Sequence, residues 1–143
     1  MILLGFVLAF IPSNTSNAAK KYYYKTKYVT VKQCLGTYKI SHYCPCIKCC
    51  GNTKGITASG TKAKAGRTIG VDPEVIPYGS KVKIGNHTYV AEDTGGASKG
   101  KKLIDIFCKT HSEALNKGVY YKKVYLVNKK KVKVKVKIKN KKK

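Results

Sequence analysis

Three aspartates stand apart from the other charged residues of this chain. Six acidic residues face 30 lysines and arginines, and all six lie between Asp72 and Glu113. Asp72 sits in Val71-Asp72-Pro73, Asp93 in Glu92-Asp93-Thr94-Gly95-Gly96, and Asp105 in Ile104-Asp105-Ile106. A chain this basic gains little solubility from a few carboxylates. Aspartates set among glycine, proline and apolar residues are therefore candidates for a specific task. The chemistry open to them is proton transfer, because a carboxyl group whose surroundings move it toward working pH can act as general acid or base. Simpler readings stand beside this one: Asp-Thr-Gly-Gly can be an Asx turn, and Asp105 can satisfy a buried amide. Glu74 and Glu92 read as solvated, and Glu113 as a helix first-turn residue favoured by the dipole.

The cysteines form a second constellation. Cys44, Cys46, Cys49 and Cys50 fall in Cys44-Pro-Cys46-Ile-Lys-Cys49-Cys50-Gly51, and Cys34 and Cys108 stand alone. In an exported chain an even count favours disulfides. Zinc is the rival, since Cys46-x-x-Cys49 is a metal knuckle that Cys44 or Cys50 can join. Four ligands from one tight loop are strained, so a second loop is expected to contribute, with Cys108 a candidate. Buried free thiols are the third reading. A nucleophilic cysteine needs a base such as His42.

The elements that must position these groups are mostly strands. Short β-like runs cover 36–43, 68–71, 81–84, 88–91, 103–107 and 123–127, punctuated by Pro77-Tyr78-Gly79 and Gly85-Asn86. One short helix is expected, capped by Ser112, propagated by Ala114 and Leu115, and ended by Gly118. Six short strands and one helix suggest a closed or nearly closed β-barrel.

The ends differ from this middle. Residues 19–33 are rich in Lys and Tyr, and Val29 and Val31 alternate with polar residues. Ten basic residues lie in 129–143, where Val132, Val134, Val136 and Ile138 alternate with lysines. The alternation fits a strand with one apolar and one cationic face; a disordered basic tail is the other reading. The net charge of +24 predicts attraction to a polyanion, or simply solubility. At the start, an apolar run from Ile2 to Ile11 precedes Ser16-Asn17-Ala18. That pattern reads as a signal peptide over 1–18, with secretion as the expected location. No Lys or Arg precedes the run. The domain reading is then 1–18 signal peptide, 19–33 Lys/Tyr-rich segment, 34–127 barrel domain, and 128–143 cationic tail. An exported address argues against nucleic acid as the partner, which needs stacking aromatics on a basic face inside the cell.

Three segments stand out together: Thr57-Ala58-Ser59-Gly60-Thr61; Gly70-Val71-Asp72-Pro73 running on to Pro77-Tyr78-Gly79-Ser80-Lys81-Val82; and Ala91-Glu92-Asp93-Thr94-Gly95-Gly96 running on to Ile104-Asp105-Ile106-Phe107. Their order and spacing resemble the three-aspartate (3D) domain of bacterial cell-wall proteins. That family includes stationary-phase survival proteins, and its barrel is similar to that of membrane-bound lytic transglycosylase A. The resemblance runs from near Gly36 to about Val127 and takes in the Tyr43–Gly51 stretch. The chain departs from the family pattern at Ser98, where an aliphatic residue is usual, at Lys101-Lys102, and at His42, where a small residue is usual. The resemblance implies a mainly β fold, a six-stranded double-psi β-barrel, and peptidoglycan glycan strands as substrate.

It also implies a reaction. Hydrolysis of a glycosidic bond uses two carboxyl groups. A lytic transglycosylase instead lets the sugar's own C6 hydroxyl attack C1, forming a 1,6-anhydro product, so one carboxyl can serve as acid and then base. That group must begin protonated near neutral pH, although the aspartate reference is about 3.9. Asp105, flanked by apolar residues, matches the family's catalytic acid. Asp93 is its natural neighbour, tuning it or orienting substrate, and Asp72 is the most scaffold-like of the three. Ser59, Thr61, Thr94, Gly95, Gly96 and Lys99 are the expected sugar- and peptide-binding residues. Lys99 and Lys101 are also the cations placed to oppose protonation of Asp105. No cofactor is required, and the chain is read as a monomer whose lysine-rich ends hold anionic wall polymers. The competing reading is a wall-binding or wall-loosening module without catalysis, since double-psi barrels similar to this one include the expansins.

Overall fold

The computed structural model describes residues 22–51 and 54–138. The expected signal peptide, Lys20, Lys21 and the end of the tail (139–143) lie outside the described residues. Six strands form a closed barrel: β1 Tyr22–Tyr43, β2 Thr68–Gly70, β3 Lys81–Ile84, β4 His87–Asp93, β5 Leu103–Phe107 and β6 Tyr120–Lys137. Around the ring their order is β1-β5-β2-β4-β3-β6. The β1/β5 and β2/β4 pairs are parallel. The β2/β5, β3/β4 and β3/β6 pairs are antiparallel. Two compact units are present, residues 28–131 and, separately, 22–27 with 132–138.

Period-two alternation builds the core of the larger unit. Each strand contributes an apolar side chain with no exposed surface: Ile40, Ile69, Val82, Ala91, Ile104 and Val124. Neighbours such as Lys39 and Lys81 face water. Truncating Ile104 to Ala in such a core costs about 2–5 kcal/mol. Gly36 interrupts β1 with φ 99°, a conformation open to glycine and costly for residues with a Cβ.

Two expectations change. Both terminal strands run beyond their expected limits, and the Val/Lys alternation is strand as far as Lys137. In the smaller unit Lys135 Nζ lies 4.3 Å from the Tyr22 ring centroid, a cation–π contact. There are also two helices rather than one among the described residues. α1 (Ile47–Cys50) is a single turn inside the cysteine stretch, closed by Gly51 at φ 68°. α2 (His111–Lys117) is capped by Thr110 and not by Ser112: the Thr110 hydroxyl accepts from the Glu113 amide. Glu113 in turn accepts from the Lys109 amide and pairs with Lys117 one turn on. This exchange resembles a capping box and fixes the first helical residue as His111.

Candidate functional site

The site is organised around Gly70 at the end of β2. Gly70 pairs with Asp105 on one side and with Asp93 on the other. The shortest strand therefore brings two of the three aspartates to one place. A Cβ on Gly70 meets Asp105 Cβ at 3.5 Å and the Asp93 carbonyl carbon at 3.9 Å, so the glycine leaves open space between them. The β2/β4 register jumps here, from Ile69↔Ala91 to Gly70↔Asp93, which leaves Glu92 as the extra residue of a β-bulge. Strict alternation puts Asp93 on the core-facing side of Ala91; the bulge re-aims it.

A cavity of about 320 Å³ opens over this register point. Strand residues Tyr43, Gly70, Asp93, Asp105 and Phe107 line it with Thr94 and Gly95. Pro45, Cys49, Cys50, Gly55, Ile56 and Ala63 complete its wall.

The two carboxylates are held differently. Asp93 accepts three hydrogen bonds: from the Tyr43 hydroxyl at 2.5 Å, the Ala58 amide at 2.9 Å and its neighbour Thr94's amide at 2.9 Å. Burial, then the hydrogen bond to Asp93 and its negative charge, push the Tyr43 phenol far above its ordinary value, so the phenol remains a donor. Tyr43 also packs edge-on against Phe107, centroids 5.3 Å apart. Asp105, among the described residues, accepts one hydrogen bond, from the Ser41 hydroxyl at 2.5 Å. Ser41 is its register partner on β1. The isoleucines beside Asp105 do not surround it: alternation buries Ile104 and Ile106 in the core and leaves Asp105 partly exposed at the cavity. Among the described residues no ion pair joins Lys99 or Lys101 to either aspartate.

Asp72 stands outside the cavity lining. It is buried and accepts from the amides of Glu74 and Gly100 at 3.1 and 2.8 Å, joining the turn after β2 to the end of the glycine loop. Thr94 and Gly95 reach the cavity, whereas Ser59, Thr61, Gly96 and Lys99 are absent from its lining. Ser59 and Thr61 hydrogen-bond with Thr57 in a hydroxyl cluster. The loop they belong to supplies the Ala58 amide that holds Asp93. The departure at Ser98 has a local role, since its buried hydroxyl donates to Gly95 O at 2.7 Å and closes the loop.

Glu92 is not solvated. It is buried against Arg67, which donates from Nε at 3.0 Å and again from Nη2, and against the Thr68 hydroxyl at 2.6 Å. Burial pushes its carboxyl up. The Arg67 and Thr68 hydrogen bonds outweigh that and hold it below the usual carboxylate range.

No disulfide joins any two of the six cysteines. Cys44, Cys46 and Cys49 turn their sulfurs to one ring nitrogen of His111, at 3.8, 3.6 and 3.4 Å. The anticipated fourth members lie elsewhere. Cys50 donates to Cys44 O, and buried Cys108 contacts Ile106 O and Lys117 Nζ. Burial pushes the Cys44 thiol up to about 12, while hydrogen bonds from Cys44 and from the Cys49 and Lys48 backbone lower Cys46 to about 7. His42 is away from the thiols: its Nδ1 meets Gly118 O at 2.9 Å and its ring packs on Tyr120.

Sequence reasoning missed Ser41, Tyr43, Gly70 and His111. For the first two a signal existed, since Ser41 and Tyr43 alternate with buried Tyr38 and Ile40 and must share the outward face of β1.

The fold and site thus define a six-stranded β-barrel protein with paired aspartates at an open cavity. Residues 67–128 match the family model of the 3D domain, so the resemblance drawn from the motifs holds over that stretch. The chain is 45% identical over 82 residues to the cell wall-binding protein YocH of Bacillus subtilis, an overlap of 54% of this chain and 28% of YocH. Among solved structures it is similar to MltA from E. coli (23% identity, TM-score 0.44, 52% of this chain and 27% of that one). It is also similar to the lytic transglycosylase LtgG of Burkholderia pseudomallei (25% identity, TM-score 0.46, 52% and 26%). The chain spans little more than a quarter of these proteins' own lengths. No helix among the described residues is long and apolar enough to cross a membrane.

Proposed function

We propose that this protein acts on the bacterial cell wall, cleaving peptidoglycan glycan strands by the lytic-transglycosylase route. The observation that carries the proposal is the unequal holding of the two carboxylates. Hydrolysis uses one carboxyl as acid and a second as base or nucleophile. Asp93 already accepts three donors and has little capacity left to activate water. Among the described residues Asp105 accepts a single hydroxyl, and it borders the cavity. One available carboxyl suits the reaction that needs only one. Asp105 gives its proton to the glycosidic oxygen as the bond to C1 breaks. The C6 hydroxyl then closes on C1 and returns its proton to Asp105. No water is consumed, and a 1,6-anhydro sugar forms.

The supporting residues follow from the same geometry. Tyr43 and Ala58 fix Asp93 as an acceptor beside the reacting sugar. Thr94 and Gly95 border the path of the glycan, and Asp72 secures the glycine loop. The ring order, with its parallel and antiparallel pairs, supports the double-psi topology. The lysine-rich ends would hold anionic wall polymers, and a secreted, wall-associated location follows from that reading.

The test is digestion of purified sacculi by the full chain, with mass spectrometry of the soluble fragments. Anhydro-muropeptides are expected. Asp105→Asn should lower their release by at least about 100-fold, the scale of a lost general acid, with thermal stability unchanged. Folded wild type that releases nothing overturns the catalytic reading. A second reading has its own support, since the relative YocH is named a cell wall-binding protein. Sacculus binding that survives substitution of Asp72, Asp93 and Asp105, without fragment release, would favour it.

A further inference from the structure

We infer that Cys44, Cys46, Cys49 and His111 form a structural zinc(II) site tying the cysteine stretch to the start of α2. The four ligand atoms lie within 4.8 Å of one another. Four of the six separations match those of a coordination tetrahedron. Zn–S bonds of about 2.3 Å and Zn–N bonds of about 2.0–2.1 Å require S···S edges of about 3.8 Å and S···N edges of about 3.6 Å. The Cys44–Cys49 sulfurs are 3.7 Å apart, and the three S···N distances run from 3.4 to 3.8 Å.

The surroundings are those of a metal knuckle. The amides of Cys49 and Cys50 bond Cys46 O at 3.1 and 2.8 Å, which winds α1 into one turn and aims Cys49 back toward Cys46. The Thr110 cap fixes His111 as the first residue of α2. The donor set of three soft sulfurs and one imidazole suits zinc, and four protein ligands leave no open position for substrate. A disulfide between Cys44 and Cys49 requires an S–S bond of about 2.05 Å and leaves the other two ligands without a partner for their shared geometry.

The site has a consequence for the cavity. Pro45, Cys49 and Cys50 form part of its wall, and Tyr43 immediately precedes Cys44. The metal would hold that wall in place without entering the chemistry. The inference stands whether or not the chain cleaves glycan.

The full chain, purified under reducing conditions and loaded with zinc, should carry one metal ion per chain by elemental analysis. Cobalt(II) in its place should give the intense visible d–d and thiolate charge-transfer bands of a tetrahedral sulfur site. Cys46→Ser and His111→Ala should each weaken zinc binding at least about tenfold in competition with a chromophoric chelator, since even loss of a supporting partner costs that much. Cys34→Ser and Cys108→Ser should bind as wild type does. Because the cobalt spectrum is read on the wild-type chain, a variant that fails to fold does not decide the question. Octahedral, weakly absorbing cobalt, absence of stoichiometric zinc in the reduced folded chain, or undiminished affinity in both ligand variants overturns the inference.

Discussion

The carboxylate cavity and the thiol–imidazole corner lie side by side on the barrel but are assembled in different ways. The cavity is a product of sheet register. Gly70 pairs with both aspartates, Ser41 pairs with Asp105, and a bulge turns Asp93 outward. The corner is a product of two short helices, one ended by Gly51 and the other started by Thr110. Register places a side chain to within a strand spacing through many backbone hydrogen bonds at once. A helix end depends on one cap. Damage to the cavity should therefore appear first in function, and damage to the corner first in local stability.

The largest effect expected from breaking the cavity comes at Gly70. Gly70→Ala fits, because the nearest atoms stand at ordinary contact distance. Gly70→Val fills the space between the carboxylates. Fragment release from sacculi should fall by about 100-fold or more, the scale of a misplaced substrate, and the alanine variant should keep most activity. Tyr43→Phe is next. It removes one of three donors to Asp93, a hydrogen bond to a charged group worth about 1.5–3 kcal/mol. Release should fall roughly ten- to hundredfold, and the thermal midpoint should drop by several degrees, since about 1 kcal/mol shifts it by roughly 4 °C or more in a domain of this size.

Arg67→Ala separates stability from function. It strips the buried Glu92 of its cation. Removing one partner of a fully buried pair costs about 3–5 kcal/mol, and because Arg67 is partly exposed about 2 kcal/mol is expected here, read by urea unfolding. The sign with pH is fixed by the depressed Glu92 carboxyl. Its contribution is present above the unfolded value of about 4.3 and is lost as pH falls through the lower folded value. Wild-type stability should therefore fall between those two values and level off below the folded one, and the variant's curve should be flatter there. The smallest effect belongs to the corner. Thr110→Ala removes the α2 cap, costing about 1 kcal/mol, and should increase hydrogen exchange in α2 while leaving β2 and β5 protected.

The same contrast explains what could be read from sequence. Short runs of β-branched and aromatic residues between glycine, proline and asparagine breaks mark all six strands, and the separate aspartate motifs single out Asp93 and Asp105. Where local pattern and tertiary register disagree, the reading fails. Isoleucines adjacent to Asp105 in sequence lie across the sheet from it, so they say little about its surroundings. Glu92 looks like a surface acid beside Asp93, but the bulge carries it inward to Arg67 and Thr68. His111 joins sulfurs more than 60 residues away. Its only local hint is the Thr110-His-Ser-Glu113 box, which reads as a cap and not as a ligand.

The central claim is that one carboxyl is free to act and the other is held. Digesting sacculi in water carrying heavy oxygen tests it most directly, because the two routes differ in whether water enters the product. The account predicts 1,6-anhydro fragments with no label at the newly formed sugar ends. Fragments with labelled reducing ends would contradict it, since they would require Asp93 or another base to activate water.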